Sequence, residues 1–332
     1  MSVQINAART HDTGLPEISS LGFGAWEAGG GYHGPNPPDD VLIGAMRAGF
    51  ERGINWVDTA EAYGAGRSEE LVGQAIAGRG DVMVFTKVVP KPYGSGLDAA
   101  GIRAGAEASL RRLGREILDL DQIHLPDPQV PIEESWGAMT RLVEEGLVRY
   151  IGVTNFPPGL VERCEQVRHV DTVQLHFSLL YGEDYQALLP LCKAQGIGML
   201  AYGPLGFGVL TGTMTLETRF PTGDWRSGNP PVPVPLYQQI FAPGTFEQHV
   251  RVAEALRPVA QRRNVSLAQL ALAWVIHQDG ITGVIVGSRS AAHTVEAAEA
   301  ASIELSARDS RRSRLRSPRP AYSGRGAMCG RG

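Results

Sequence analysis

A chain of 332 residues, 43% hydrophobic and 20% charged, has the make-up of a globular protein, with length for one large domain or two small ones. It contains no run of eighteen or more apolar residues, and its opening MSVQINAARTHDTG lacks the apolar region of a secretory signal, so neither a membrane span nor export is expected. The net charge of −4 is uneven: residues 307–332 hold eight Arg against one Asp, +7, which leaves −11 on the rest and argues against nucleic acid as the main partner.

The three cysteines, Cys164, Cys192 and Cys329, are odd in number and fall in no CxxC or Cys/His spacing. A disulfide framework or metal site is therefore not expected, and a reducing cytoplasm is the expected setting. Cys164 and Cys192 lie in helix-like segments and read as small buried hydrophobes.

Along the chain, short β-branched runs alternate with longer amphipathic ones. A strand-like run at 18–24 (ISSLGFG) is followed, past a Gly/Pro-rich loop at 29–38, by a helical pattern at 39–52. INWVDTA from Ile54 precedes the helix SEELVGQAIAG, which Ser68 is placed to cap. DVMVFTKV from Asp81 leads to a helix at 98–113, and LDLDQIHL from Leu118 to one at 132–145. VRYIGVT from Val148 leads to helical residues 159–167, TVQLHF from Thr172 to 184–194, and IGMLAYGP from Ile197 to a loop at 211–244. Helical patterns at 247–263 and 266–278, the strand ITGVIVG from Ile281 and a helix near 292–301 complete the series.

Eight strands alternating with helices imply a parallel sheet, because parallel strands need crossover connections. Runs such as VMVFTKV and GVIVG are nearly continuously apolar, as strands covered on both faces are. Eight uninterrupted units favour a (β/α)₈ TIM barrel over a doubly wound sheet. The stretch after the first strand, GAWEAGGGYHGPNPP, also lacks the GxGxxG spacing of a Rossmann turn. The expected division is a single barrel domain over 1–306 and a disordered, Arg-rich basic tail over 307–332. The 211–244 loop, with Pro221, Pro230, Pro231, Pro233 and Pro235 and with Trp225, Tyr237, Ile240 and Phe241 to pack with, reads as a functional lid.

Barrel chemistry gathers at the C-terminal ends of the strands. Those positions hold Asp58 after strand two, Lys87 on strand three and His124 after strand four, each interrupting an apolar run. Taken singly, each has an ordinary structural explanation: a lone buried His is usually a satisfied core residue, and an Asp–Lys pair can simply hold two strands. Polar residues on three consecutive strand ends make that explanation weaker. A buried Asp and Lys on neighbouring strands would pair. Tyr63 lies five residues beyond Asp58. A lysine cation beside its hydroxyl would favour phenolate, lowering a pKa from about 10, while Asp58 held Lys87 charged. Tyr63 could then protonate a carbonyl oxygen as hydride reaches carbon, with His124 orienting that oxygen.

With these residues in register, the sequence resembles the aldo-keto reductases from about Gly14 to Ala301. WVDTAEAYGAGRSEELVG, FTKV, LDQIHLPDP, PIEESWGAMTRLVEEGLVRYIGVTNF and LAYGPLGFGVLTG carry the likeness. The resemblance implies that Asp58, Tyr63, Lys87 and His124 form the family's catalytic tetrad, and that the cofactor is NADPH, bound without a Rossmann motif. By matching position, Asn155 and Gln174 would hold the nicotinamide amide and Tyr202 would stack on its ring, with Asp58 and Thr154 also among the cofactor-binding residues. Gly203, Pro204, Leu205, Gly206, Gly208, Leu210 and Gly212 would line the pyrophosphate. Gly287, Ser288 and Arg289 would take the 2′-phosphate, with Arg289 selecting NADPH over NADH, and His293 would lie near the adenosine.

Gly203 stands where the family usually has Ser, and His293 and Ala297 stand where it often has Gln and Asn. After ELSA at 304–307 the chain turns Arg-rich where members continue as a mixed-charge helix. Trp26, Phe207 and Trp225 are candidates to wall the substrate pocket. The implied activity is reduction of an aldehyde or ketone, a small-molecule carbonyl, with no membrane or nucleic-acid partner. The rivals are a cofactor-binding regulatory protein of the same fold with little turnover, and a barrel hydrolase using Asp119 and Asp121. Those two lie near the start of strand four, the wrong end of a barrel for chemistry.

Overall fold

A computed structural model describes residues 14–31, 36–221, 223–227 and 239–305. Eight strands run β1 (Leu21–Gly24), β2 (Trp56–Asp58), β3 (Met83–Val88), β4 (Leu118–Ile123), β5 (Val148–Thr154), β6 (Thr172–His176), β7 (Gly198–Tyr202) and β8 (Ile281–Gly287). Each pairs in parallel with the next, and β8 pairs back onto β1 through Leu21↔Val284 to Gly24↔Gly287, closing the barrel.

The described helices pack outside it: α1 (Asp39–Glu51), α2 (Arg67–Ala75), α3 (Ala99–Leu113), α4 (Ile132–Glu144), α5 (Pro158–Glu165), α6 (Glu183–Gln195), α7 (Thr245–Arg263), α8 (Leu267–Ile276) and α9 (Ala291–Glu299). Local chemistry sets several boundaries. Asp98 caps α3 through Gly101 N, and Ser266 with Gln269 makes a reciprocal capping box on α8. Among the described residues, no helix is long and apolar enough to cross a membrane.

Ser68 departs from the expected cap. α2 begins at Arg67, and Ser68 is fully buried, its Oγ 2.7 Å from Ala25 O and 2.8 Å from Thr59 Oγ1. Its hydroxyl joins two loops instead of closing a helix end. Tyr237 and residues 307–332 lie outside the described residues.

Two layers of core follow from the two-residue period of a strand. Outward side chains meet the helices in the larger cluster. Inward ones stack within the barrel as Ile18, Trp56, Phe85, Leu120, Leu200 and Ile285. Trp56 fills the middle, its indole donating to Ser19 O at 2.8 Å. Gly22 makes the room, since a Cβ there would lie 2.3 Å from the indole. Continuing the same inward parity toward the strand ends gives Asp58, Lys87, Gln122, Thr154, Gln174 and Tyr202. The apolar stack thus forms the floor under a polar layer.

Asp119 and Asp121 have the opposite parity and face the helices. Asp119 accepts from Val84 N and pairs with Arg149, so the hydrolase reading has no cleft to occupy. Asp121 is buried at 1% exposure near Glu61 and Glu69, and burial first, then those two carboxylates, push its pKa up to about 8. Between pH ~4 and ~8 the folded chain therefore holds a proton that the unfolded chain has released, and this group's contribution to stability falls as pH rises through that window. Asp121→Asn should raise stability on the order of 1 kcal/mol at pH 8 and less at pH 5. Urea melts at the two pH values check this, and equal gains at both would contradict it.

Candidate active site

The polar layer opens into a cavity of about 280 Å³ at the C-terminal mouth of the barrel. At its base Lys87, 1% exposed, sends its ammonium toward three oxygens: Asp58 Oδ1 at 2.5 Å, Thr59 O at 2.8 Å and Tyr63 Oη at 3.4 Å. An ammonium has three hydrogens and accepts nothing, so these contacts account for all of its donors. Burial lowers the Lys87 pKa, and Asp58 opposes the shift by Coulombic attraction and hydrogen bonding. The other Asp58 oxygen accepts from Gln174 Nε2 at 2.8 Å and from Gln122 Nε2 at 3.4 Å. Both oxygens of the buried carboxylate are thereby satisfied.

Tyr63 accepts from Lys87 and stands edge-on to His124, with ring centroids 5.6 Å apart and planes at 80°. The His124 pKa lies well below its ordinary value, mainly through burial and secondarily through the Lys87 charge, so the imidazole is neutral at physiological pH. Its Nδ1 makes no hydrogen bond among the described residues.

Two glycines fix the turn that carries Tyr63. A Cβ on Gly29 would lie 2.6 Å from Tyr63 C, and one on Gly64 would lie 2.1 Å from Gly29 O. The 3₁₀ turn Trp26–Gly29 after β1 therefore rests backbone to backbone on the Tyr63 turn. Arg67, bonded to Ala28 O and Asp39, and Ser68 clamp the same junction.

The structure brings most of the expected residues to one cavity. Asp58, Tyr63, His124, Thr154, Asn155 and Gln174 line one side. Tyr202, Gly203, Pro204, Leu205 and Gly208 continue the lining, which ends at Gly287 and Arg289 beyond β8. Tyr202 Oη donates to Asn155 Oδ1 at 2.8 Å, and Asn155 Nδ2 donates to His124 O at 3.3 Å. Gln174 spends its amide nitrogen on Asp58 Oδ2 at 2.8 Å and Gln122 Oε1 at 3.3 Å, so what it offers a ligand is its carbonyl oxygen.

Others stand back from the cavity. Lys87 lies behind Tyr63, while Gly206 and Leu210 are buried and Gly212 is half-buried in the segment beyond β7. Ser288 turns its hydroxyl to Ser290 O, and His293 is exposed on α9. Trp26 and Phe207 line the cavity. Trp225, 3% exposed, packs behind them at centroid distances of 5.9 and 5.3 Å. Phe241 in turn packs on Trp225 at 5.2 Å, so aromatic contacts tie the long segment after β7 to the cavity wall.

Sequence reasoning passed over Gln122, Glu27 and Arg226. Gln122 had a legible signal, since it shares inward parity with Leu120 and is polar. Glu27 and Arg226, which both line the cavity, sit in aperiodic segments that gave none.

The Aldo/keto reductase family model matches residues 20–314. The chain belongs to the aldo/keto reductase family. It is 35% identical over 286 residues to the aldo-keto reductase YhdN of Bacillus subtilis, covering 84% of this chain and 83% of that one. Among solved structures, the glycerol dehydrogenase AKR11B4 from Gluconobacter oxydans superposes with a TM-score of 0.81 at 29% identity, over 95% of both chains. An aldo/keto reductase from Klebsiella pneumoniae in complex with NADP and acetate gives 0.71 at 29% identity, over 96% of this chain and 98% of that one. This aldo-keto reductase is an oxidoreductase of the carbonyl–alcohol class.

Gly29→Ala should push the Tyr63 turn off Lys87 and lower the rate of carbonyl reduction by up to about 10²-fold, with less effect on KM. Steady-state kinetics beside a thermal melt checks this. An unchanged rate would show that the glycine contact does not position Tyr63.

Proposed function

We propose that this aldo-keto reductase reduces an aldehyde or ketone with NADPH as cofactor, and that Tyr63 donates the proton. The observation that carries the reading is the three-way sharing of the Lys87 ammonium among Asp58, Thr59 O and Tyr63 Oη at the base of the cavity.

The residues present fit a nicotinamide dinucleotide. Thr154 Oγ1 is buried on the cavity wall with no hydrogen-bond partner among the described residues. Tyr202 presents a ring pinned through its hydroxyl, and Asn155 and Gln174 flank it with amides. The glycine-containing segment 203–208 bares backbone toward the cavity, and Arg226 and Arg289 bring two guanidinium groups to the same space. By matching position in the resemblance, Gly287, Ser288 and Arg289 would take the 2′-phosphate. A bound reduced nicotinamide supplies hydride to the carbonyl carbon.

The chain's own residues do the rest. The Lys87 charge beside Tyr63 Oη stabilises the negative charge left on the phenol oxygen as its proton passes to the carbonyl oxygen. Asp58, with both oxygens satisfied, keeps Lys87 charged and aimed. A neutral His124 has one N–H to give that same carbonyl oxygen, which fixes its approach to Tyr63. Trp26 and Phe207 supply apolar walls that favour substrates with a hydrophobic body. Two buried free cysteines, both pushed up to about 12 chiefly by burial, fit a reducing cytoplasm and take no part.

Mixing the protein with NADPH and a panel of aliphatic and aromatic aldehydes should give alcohol and a fall in cofactor absorbance. Tight NADPH binding with no oxidation across the panel would favour the regulatory reading. Arg289→Ala should weaken NADPH about tenfold or more while leaving NADH nearly unchanged. Equal losses for the two cofactors would remove Arg289 from 2′-phosphate recognition.

A further inference from the structure

Among the residues lining the cavity, the cations are Arg226 and Arg289 and the acids are Asp58 and Glu27. Two of these four, Asp58 and Arg226, are held by close partners, and the other two face each other. Asp58 is matched by Lys87 and Gln174, and Arg226 is held by Asp224 through contacts of 2.6 and 2.9 Å. Arg289 reaches Glu27, but only at 3.9 Å. Glu27 Oε2 is buried and makes no hydrogen bond among the described residues. A carboxylate thus faces the Arg289 guanidinium within the field of Arg226, inside the space where an anionic dinucleotide would lie.

We propose that Glu27 is an internal stand-in for the cofactor's negative charge: it occupies Arg289 in the free protein and takes up a proton when NADPH binds. The inference rests on the NADPH reading above. An incoming diphosphate and 2′-phosphate compete with Glu27 for Arg289, and two like charges in one enclosed space repel. Glu27 is the group able to yield, because a proton from solvent converts its carboxylate to a neutral acid that can donate to the ligand. No bond other than O–H forms. Glu27 already holds its proton more tightly than an ordinary glutamate, through burial, with Arg289 and then Arg226 opposing.

The charged and titratable groups facing Glu27 are Arg289 from the turn after β8 and Arg226 from the 3₁₀ turn Trp225–Ser227, with Asp224 behind it. Tyr63 lines the same cavity, and Arg67 of α2 bonds to the neighbouring Ala28 O. The Asp224 charge is spent on Arg226, which leaves Glu27 to take the proton.

Calorimetry of NADPH binding at pH 8, in two buffers of different ionisation enthalpy, reads proton uptake directly. NADH is run alongside, because it lacks the 2′-phosphate and its separate titration. Wild type should take up part of a proton with NADPH and less with NADH, and should bind NADPH several-fold more weakly at pH 8.5 than at pH 7. Glu27→Gln should take up none, lose that pH dependence and bind NADPH about five- to tenfold more tightly at pH 8. Weaker binding by Glu27→Gln would make the carboxylate a direct ligand and overturn the proposal. Equal proton uptake by both proteins would overturn it too. Failure of wild type to bind NADPH at all would remove the cofactor reading itself, a result distinct from either.

Discussion

Lys87 and Asp58 meet at 2.5 Å between neighbouring strands, with exposures of 1% and 3%. A buried ion pair is a poor way to stabilise a protein. Well-packed apolar residues often do as well, whereas leaving either charge alone costs about 3–5 kcal/mol. The arrangement makes sense once its third member is included. The ammonium has one hydrogen beyond those taken by Asp58 and Thr59 O, and it points to the Tyr63 hydroxyl. Gln122 and Gln174, from strands β4 and β6, complete the carboxylate. Four strands therefore contribute to holding one charge still.

The closed barrel is what permits this. Inward side chains from β2, β3, β4 and β6 converge because strand parity repeats around the ring, and the apolar stack beneath excludes water from the layer. Tyr63 is not on a strand, so its position depends on the Gly29–Gly64 contact and on Ser68 and Arg67 at the same junction. The turn that bears Trp26 and Glu27 is the other half of that contact. The cavity wall and the tyrosine are consequently one mechanical unit.

Much of this was legible in the sequence. Asp58, Lys87 and His124 each break an apolar strand, and such interruptions survive in a core only with partners. Alternation of strand and helix gave the barrel, and the 211–244 segment announced its packing role through Trp225, Ile240 and Phe241. Ser68 misled because a Ser at a helix start looks like a cap, while its hydroxyl is spent on Ala25 and Thr59 across 43 and 9 residues of chain. Glu27 and Arg226 were hidden for a related reason. Their meaning comes from convergence of two irregular loops on one cavity, and no local period encodes that.

In the proposed reaction the phenol of Tyr63, under the Lys87 charge, delivers the proton in carbonyl reduction. Single-turnover reduction of an aldehyde by the NADPH-loaded Tyr63→Phe protein tests it most directly, with cofactor affinity followed separately by fluorescence. The expected result is a rate lowered by about 10²–10⁴-fold with NADPH affinity nearly unchanged. A rate within a fewfold of wild type would contradict it and assign the proton to another group.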